Sequence, residues 1–472
     1  MRTISKVLER LAQFQLRPFF LDNLAFSRFQ SAYRPNHSTE TASLYIADKL
    51  FRSPQSCPSF LVSLDLSSAF DCISHRVLVD RLSADFGLSG LPLAWVESYL
   101  SSRSHAVVWK GVSSPYVPVK SGVPRGSVLG PLLFSIYISP ISRLLDSFSV
   151  LHHIYADDTS LLFLADPALF PLDLLNKCTS ALSAWFLHNG LLLNPSKSEV
   201  LLVGPAAKHR SVLAALGLST GKALDGGGGS GIVLADSSIP LSKSVKILGV
   251  TFDSSLSFDS HISDICKAAN FHLCALSHIR QYLTVASANL IASSIIASKI
   301  DYCNSLLSGL SAHNIHRLQM VQNRAARIVL GVGRRVSVGP LLRELHWLPV
   351  SERIQFKIAI QTFLTLHTNQ PAYLNDVLVP YIPSRNLRSA GGNLLVMPRI
   401  DSVFQSRAFS YAAPHIWNSL PVALRGLADL SPSWTGSDSF MSSQPSVPTA
   451  SFSLFKSQLK THLFSASAIL AT

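Results

Sequence analysis

Tyr155-Ala156-Asp157-Asp158 sets two adjacent carboxylates between apolar runs, Ser149 to Ile154 and Thr159 to Leu164. The flanks are rich in Val, Ile, Leu and Phe, which favour strands, whereas Asp is a turn former. The pattern predicts a β-hairpin with oxygen ligands at its tip, a place where a hard divalent cation can be held. Taken alone, an Asp-Asp pair in a hairpin describes an ordinary solvated turn, so any chemistry depends on a partner elsewhere in the chain.

That partner stands in Leu64-Asp65-Leu66-Ser67-Ser68-Ala69-Phe70-Asp71, where an acid closes the apolar strand expected over Phe60 to Leu66. If this strand lies beside the hairpin, about 4.8 Å away, Asp65 and Asp157 converge. Asp65, Asp157 and Asp158 would then suit two divalent ions about 3.5 to 4 Å apart, the arrangement that supports in-line nucleotidyl displacement. Mg2+ is the natural ion, since it prefers hard oxygen ligands and completes its shell with phosphates and water.

The elements that must position these groups follow from the pattern along the chain. Residues 1 to 50 read as helices joined by a polar loop from Ser31 to Ser38, and a helix is expected to start on a Ser cap at Ser67-Ser68. Helical segments run to Leu100, a β-rich passage covers Ala106 to Val119, and the loop Ser121 to Ser127 opens onto an apolar helix from about Pro131. A flexible linker is expected over Ala206 to Ser238, where Gly226-Gly227-Gly228-Gly229-Ser230-Gly231 lacks the Lys-Ser/Thr of a phosphate-binding loop. Val245 to Phe252 reads as one strand, and Ile262 to Leu330 as helices, with Ile315, Leu318, Val321, Ala325 and Ile328 at helical spacing. A Ser/Pro-rich interruption fills Leu430 to Thr449, before a basic helical tail over Phe452 to Phe464. Strand, helices, loop, helix, hairpin is the order of an α+β layer, not of an alternating α/β fold.

Composition narrows the classes. At 472 residues with 47% hydrophobic content, the chain can bury two or three cores and is not disordered throughout. Lys and Arg outnumber Asp and Glu by 40 to 27, a net charge of +13 that suits a polyanionic partner. Six cysteines stand without a C-x-x-C pair, which indicates neither a zinc site nor a disulfide framework. The N-terminus lacks the apolar block of a secretory signal, and the longest apolar stretch, Val128 to Leu145, is broken by Gly130, Pro131, Pro140 and Arg143. No membrane partner is expected, and the location expected is intracellular, in nucleus or cytoplasm.

The chain resembles the reverse transcriptases of LINE-type retrotransposons, those without long terminal repeats, along nearly its whole length. Gln30 to Glu40 resembles the fingers block of that family, Leu64 to Asp71 its first palm motif, Ser121 to Phe134 the second and Tyr155 to Asp158 the third. Asn194-Pro195-Ser196-Lys197-Ser198-Glu199 resembles the fourth, and Leu248 to Asp253 the primer grip.

The resemblance implies a right-hand polymerase fold: partial fingers over 1–60, a palm with interleaved fingers elements over 61–204, the linker over 205–244, primer grip and helical thumb over 245–335, and a basic C-terminal region over 336–472. It implies an RNA-directed DNA polymerase with Mg2+ (two ions, Mn2+ as substitute), an RNA template, a DNA primer and deoxynucleoside triphosphates. Asp65, Asp157 and Asp158 would be catalytic and metal-binding, Asp158 least firmly. Phe70 would be the aromatic gate against a ribose 2′-OH, with helix packing as the alternative; it argues against an RNA-dependent RNA polymerase. Tyr155 would lie beneath the primer terminus. Lys197 would assist the departing pyrophosphate or be an exposed loop lysine, and Arg34 would contact the triphosphate or be surface charge.

Where the family usually reads Pro-Gln-Gly, this chain has Pro124-Arg125-Gly126. Arg125 and Gly126 would line the nucleotide site with a longer, cationic side chain in place of Gln. That departure, and a chain that starts within the fingers with no endonuclease region before it, leave a second expectation open: an inactive remnant that only binds nucleic acid. Between His313 and Ile360 eight Arg or Lys face two acids; among them Arg317, Arg324, Arg327, Arg334 and Arg335 are expected on a phosphate backbone. Trp347 and Trp417 are expected to stack on bases or to anchor a core.

Overall fold

The computed structural model describes residues 3–53, 58–124, 126–164, 172–215, 232–234, 237–383, 392–428 and 449–467. Arg125, the glycine run of the expected linker and all but the last residue of the Ser/Pro-rich interruption lie outside them. The chain forms two compact units, one from Met1–His37 and Pro54–Val245, the other from Ser38–Ser53 and Lys246–Thr472.

Two helices open the chain, α1 (Thr3–Leu21) in the first unit and α2 (Thr39–Arg52) in the second. The first unit continues with strands β1 (Ser59–Leu64), β2 (Leu66–Ser67), β3 (Ser104–His105), β4 (Val108–Trp109), β5 (Val112–Ser113), β6 (Val117–Pro118), β7 (Leu151–Tyr155), β8 (Asp158–Leu164), β9 (Leu192–Leu193), β10 (Glu199–Val203), β11 (Ile232–Leu234), β12 (Ser237–Ile239) and β13 (Leu241–Ser242). Its helices are α3 (His75–Ala84), α4 (Gly90–Leu100), α5 (Gly130–Ile138), α6 (Ile141–Ser147), α7 (Leu172–His188) and α8 (Ala206–Ala215). Five strands make one sheet in the order β13-β10-β1-β8-β7, antiparallel except between β10 and β13. β1 lies between two neighbours and is apolar on both faces, with Phe60, Leu61, Val62 and Leu64 all buried, as a covered central strand requires. Leu132, Leu133, Phe134, Ile136 and Tyr137 of α5, and Leu175, Cys178, Leu182 and Phe186 of α7 at helical spacing, join its core.

Four expectations change. The strand over Phe60 to Leu66 breaks at Asp65, leaving β1 and the short β2, which pairs with β9. Ser68 adopts a left-handed backbone and caps nothing with its side chain; only a 3-10 turn, Ala69–Asp71, follows, and α3 begins on Ser74, whose hydroxyl accepts from Val77 N–H. The expected linker starts with the helix α8 and ends in strands, β11 paired with β12 and β13 joined to the five-stranded sheet. Val245 to Phe252 is two paired strands, β14 (Ser244–Ile247) and β15 (Val250–Asp253), because Leu248 and Gly249 both take positive φ (48 and 82) and turn the chain back, as the tightest hairpin turns demand.

The second unit is helical: α2 with α9 (Asp259–Ile279), α10 (Val285–Ile291), α11 (Ser298–Asp301), α12 (Ala312–Leu330), α13 (Val338–Glu344), α14 (Val350–Thr368), α15 (Ala372–Asn375), α16 (Phe409–Ser419), α17 (Val422–Arg425) and α18 (Thr449–Ala466). α12 starts on the Ser311 hydroxyl, ends on Gly331 at φ 69, and buries Leu318, Val321, Ala325 and Val329. α2 is held here by charge as well as packing. Glu40 pairs with Lys357 Nζ at 3.1 Å and accepts from Ser305 N and Oγ, while Asp301 pairs with Arg353 at 3.0 Å. Trp347 and Trp417 are buried, and Trp417 Nε1 donates to the Asn393 carbonyl, so both are anchors. No described helix is long and apolar enough to cross a membrane, and the described cysteines are free thiols.

Candidate active site

Register brings the acids together. The β1–β8 ladder ends at Leu64↔Thr159 and the β7–β8 ladder at Tyr155↔Asp158, so Asp65, one residue past its strand, comes level with Asp158. Ala156 and Asp157 form the two-residue turn, with Ala156 at φ 57, a strained backbone for a residue with a Cβ. Asp65 itself is pinned by its backbone: its N–H donates to Ser198 Oγ at 3.3 Å and its carbonyl accepts from Asn194 N–H at 2.9 Å. The turn Asn194 to Ser198, closed by Ser198 N and Oγ on the Asn194 carbonyl, projects Lys197, whose Nζ lies 3.8 Å from Asp65 Oδ2.

Two of the three carboxyls, Asp157 and Asp158, are shifted by burial and by their acidic neighbours. Burial raises Asp157 above the usual carboxylate range, opposed by its own backbone N–H and reinforced by the charge of Asp65. Burial, then Asp157 and Asp65, push Asp158 up to about 6. Asp158 nevertheless keeps much of its residue surface in water, so screening trims the effect and its direction is what counts.

Among the described residues no group of three or more His, Cys, Asp or Glu is ready-made to hold a metal ion. Asp65 Oδ2, however, is buried without a hydrogen-bond partner. A buried oxygen that makes no hydrogen bond and has only the Lys197 ammonium at 3.8 Å, beside mutually repelling carboxylates, all of them hard donors, fits a divalent cation, which would relieve both costs.

Two buried side chains that sequence reasoning passed over position the surrounding backbone. Gln30, fully buried, accepts at Oε1 from Ala156 N at 3.1 Å and Ala32 N at 3.1 Å, and donates from Nε2 to the Ala156 carbonyl at 3.3 Å. Both backbone groups of the strained turn residue are therefore held by one amide, while residues 29 to 31 hydrogen-bond β7 at Ile154. Glu9, also buried, accepts at Oε2 from Val128 N (2.7 Å) and Leu129 N (3.1 Å) at the start of α5, and Gln13 donates to the Val128 carbonyl. A carboxylate at a helix N-terminus satisfies orphan donors and complements the helix dipole. Glu9→Ala should lower the urea midpoint of unfolding, a loss of about 2 kcal/mol. Glu9 gave no sequence signal beyond a polar side chain in a helix-like segment, and Gln30 stood only as the first residue of the segment that resembles the fingers block, with no role attached to it.

The remaining candidates fall as follows. Phe70 sits on the 3-10 turn after Asp65 and stacks on Phe134 at 4.5 Å, partly buried. Tyr155 ends β7 opposite Asp158. Arg34 donates to the Ser27 and Gln30 carbonyls and lies over the Phe26 ring at 5.3 Å, bracing its own loop. Gly126 is exposed at φ 75, and Arg125 lies outside the described residues. Gly122, at φ 82, backs onto the Asp71 carbonyl so closely that a Cβ would stand 2.8 Å from it. Tyr33, not singled out by sequence, has its hydroxyl pKa raised by burial and by the charges of Asp157 and Tyr155, which places it by the hairpin tip.

In the second unit a groove of about 1050 Å³ runs beside α9 and α12, lined by Arg317, Arg324, Arg327 and Arg334 together with Arg280 and His316. Arg280 is committed to the end of α12, donating to the Ile328 and Val329 carbonyls. Arg317 and Arg324 cross to α9, on Ser263 Oγ at 2.7 Å and Asn270 Oδ1 at 2.9 Å. Neither partner is charged, so the guanidinium charges are not neutralised by these bonds. Arg335 is exposed in the turn after α12.

Residues 1–252 match the sequence profile of a family described as "Reverse transcriptase (RNA-dependent DNA polymerase)". Over 367 residues the chain is 26% identical to a probable RNA-directed DNA polymerase from transposon BS of Drosophila melanogaster, covering 75% of this chain and 38% of that protein. It is 24% identical over 364 residues to the RNA-directed DNA polymerase from mobile element jockey of the same organism, covering 75% and 37%. The chain thus spans under two fifths of these relatives. Among solved structures, apo telomerase from Candida tropicalis aligns with a TM-score of 0.39 at 12% identity, covering 77% of this chain and 60% of that one. Telomerase from Candida albicans aligns at 0.36 and 14%, covering 75% and 56%.

Proposed function

This chain belongs to the reverse transcriptase (RNA-dependent DNA polymerase) family, and from that premise we propose that it adds deoxynucleotides to a primer 3′-OH on an RNA template, as part of a LINE-type retrotransposon. The five-stranded sheet would be the palm of a right-hand polymerase and the α9–α12 region its thumb. The observation that carries the reading is the meeting of Asp65 with Asp157 and Asp158 at one end of that sheet. Asp65 and Asp157 would chiefly hold a pair of Mg2+ ions, with Asp158 as the further carboxylate. When bound, the ions would supply charge stabilisation at the attacking and leaving oxygens.

The protein's own groups would do the positioning, which is most of the catalysis in such a displacement. Tyr155 would support the primer end, Lys197 would move from Asp65 to the departing pyrophosphate, and the Gly126 turn with Arg125 would border the triphosphate, Arg125 binding phosphate in charge-assisted fashion. Arg34 braces its loop and would act on the nucleotide through it.

Primer extension on an RNA template with Mg2+ tests the proposal; duplex binding without extension would favour the nucleic-acid-binding remnant, and extension restored by Arg125→Gln would trace the silence to that residue. Phe70→Val should admit ribonucleotides, raising their incorporation relative to deoxynucleotides about tenfold or more. Unchanged selectivity would reduce Phe70 to its packing against Phe134.

The arginine groove supports backbone contact with the template-primer duplex. Arg324→Ala and Arg334→Ala should each weaken binding across sequences alike and reduce the slope of log affinity against log salt by about 0.9, read by titration at several salt concentrations.

A further inference from the structure

Arg103 to Val119 forms a two-stranded ribbon of the first unit. β4 and β5 pair through Trp109↔Val112, β3 and β6 through His105↔Val117. The tip is tight: Lys110 and Gly111 both take positive φ, 46 and 84. At its base the Val119 N–H donates to the Arg103 carbonyl, Arg103 Nε donates to the Tyr99 carbonyl, and the guanidinium covers the Tyr99 ring at 4.4 Å. The ribbon is thus firmly rooted, yet its side chains cover no core. Trp109 is 73% exposed and Tyr116 75%, with Val107, Val108 and Val112 also open. An isolated two-stranded ribbon is marginal in water, and a contiguous exposed apolar surface marks an interaction site.

Charge identifies the partner. From Ser98 to Lys120 the sequence contains no Asp or Glu, while Arg103, Lys110 and Lys120 fall within it. Aromatic faces interleaved with cations and no carboxylate make a stacking platform for unpaired bases beside a phosphate chain. The ribbon's exit also points the same way, since Ser121 bridges to Ser74 and Gly122 lies against Asp71, one residue after Phe70.

We propose that the Arg103–Val119 ribbon binds single-stranded nucleic acid, with Trp109 stacking on a base and Lys110 on an adjacent phosphate. The strand would lie where it enters the site read above as the polymerase centre. This rests on that reading only for the strand's destination, and its test needs neither nucleotide nor divalent ion.

The full chain is titrated with fluorescein-labelled 15-nucleotide oligo(dT) and oligo(U), and fluorescence anisotropy is read at several salt concentrations. Trp109→Ala should weaken binding about tenfold and Trp109→Phe less than about threefold, as stacking on a smaller ring allows. Lys110→Ala should flatten the salt slope by about 0.7. Because these side chains are exposed, melting temperatures should match the parent. Equal affinity of Trp109→Ala and parent overturns the proposal, as does a parent that binds neither oligonucleotide, for instance one whose ribbon instead drives self-association on sizing. A parent that binds the strand through Trp109, when neither it nor its Arg125→Gln variant extends a primer, would sink the polymerase reading and leave this one standing.

Discussion

Asp157→Ala should abolish primer extension, by at least about a thousandfold, since several kcal/mol of transition-state charge stabilisation would depend on the carboxylates that hold the metal ions. The same cluster should leave a mark on stability without any substrate. Asp158 keeps its proton in the folded protein up to about pH 6, against 3.8 for an ordinary Asp. Between these values the folded chain binds more protons than the unfolded one. The stabilisation from this group is therefore fully present below about 3.8 and lost as pH rises through about 6. Metal-free protein should accordingly gain stability, as far as this cluster is concerned, when taken from pH 7.5 to 5.5. Asp158→Asn should flatten that trend and raise the metal-free melting temperature at pH 7.5. Mg2+ should raise the parent's melting temperature at pH 7.5, less so at pH 5.5, where protons compete for the ligands. A parent indifferent to Mg2+ at both pH values would remove the metal from the proposal, whatever the extension assay showed.

Gln30→Ala should be the most damaging single change outside the carboxylates. It would strip both hydrogen bonds from Ala156, the positive-φ residue of the hairpin turn, and a third from Ala32. Buried backbone groups left without partners cost about 1–3 kcal/mol each, so a loss of about 3–5 kcal/mol is expected in chemical unfolding. Gln30→Glu separates holding from filling. It preserves the volume and the acceptor for the Ala156 and Ala32 N–H groups but loses the donor to the Ala156 carbonyl, so it should retain part of the stability. If the turn also sets the aim of Asp157, the apparent Mg2+ affinity should fall in both variants, more in Ala than in Glu, measured by Mg2+-dependent melting shifts where both are folded. Full stability in Gln30→Ala would mean that the hairpin holds Ala156 without help.

The carboxylates were readable only together: Asp157-Asp158 alone suits an ordinary hairpin turn, and it is Asp65, closing a second apolar strand, that gives the pair a partner. The roles of Gln30 and Glu9 were not readable. A polar residue near an apolar segment looks like any surface position until its partner is known, and those partners lie 126 and 119 residues away. Arg34, expected on the triphosphate or as surface charge, has a further task that no local pattern announces, donating to the Ser27 and Gln30 carbonyls of its own loop. The split of Val245 to Phe252 into two strands escaped notice because Leu248 is a poor turn former on propensity. Only its pairing with Gly249 at positive φ reveals the reversal.

By itself the sequence determined the order of the acidic and glycine-bearing segments, the apolar strands and helices that carry them, the α+β class and the basic charge. These depend on side-chain type and on periodicity over a few residues, which are local properties. The tertiary structure alone decided that Asp65 comes level with Asp158, that Gln30 holds the turn between β7 and β8, and that α2 is held through Glu40 among the C-terminal helices. Each of these is a choice among many chemically equivalent partners, and it is made by burial and strand register over long separations.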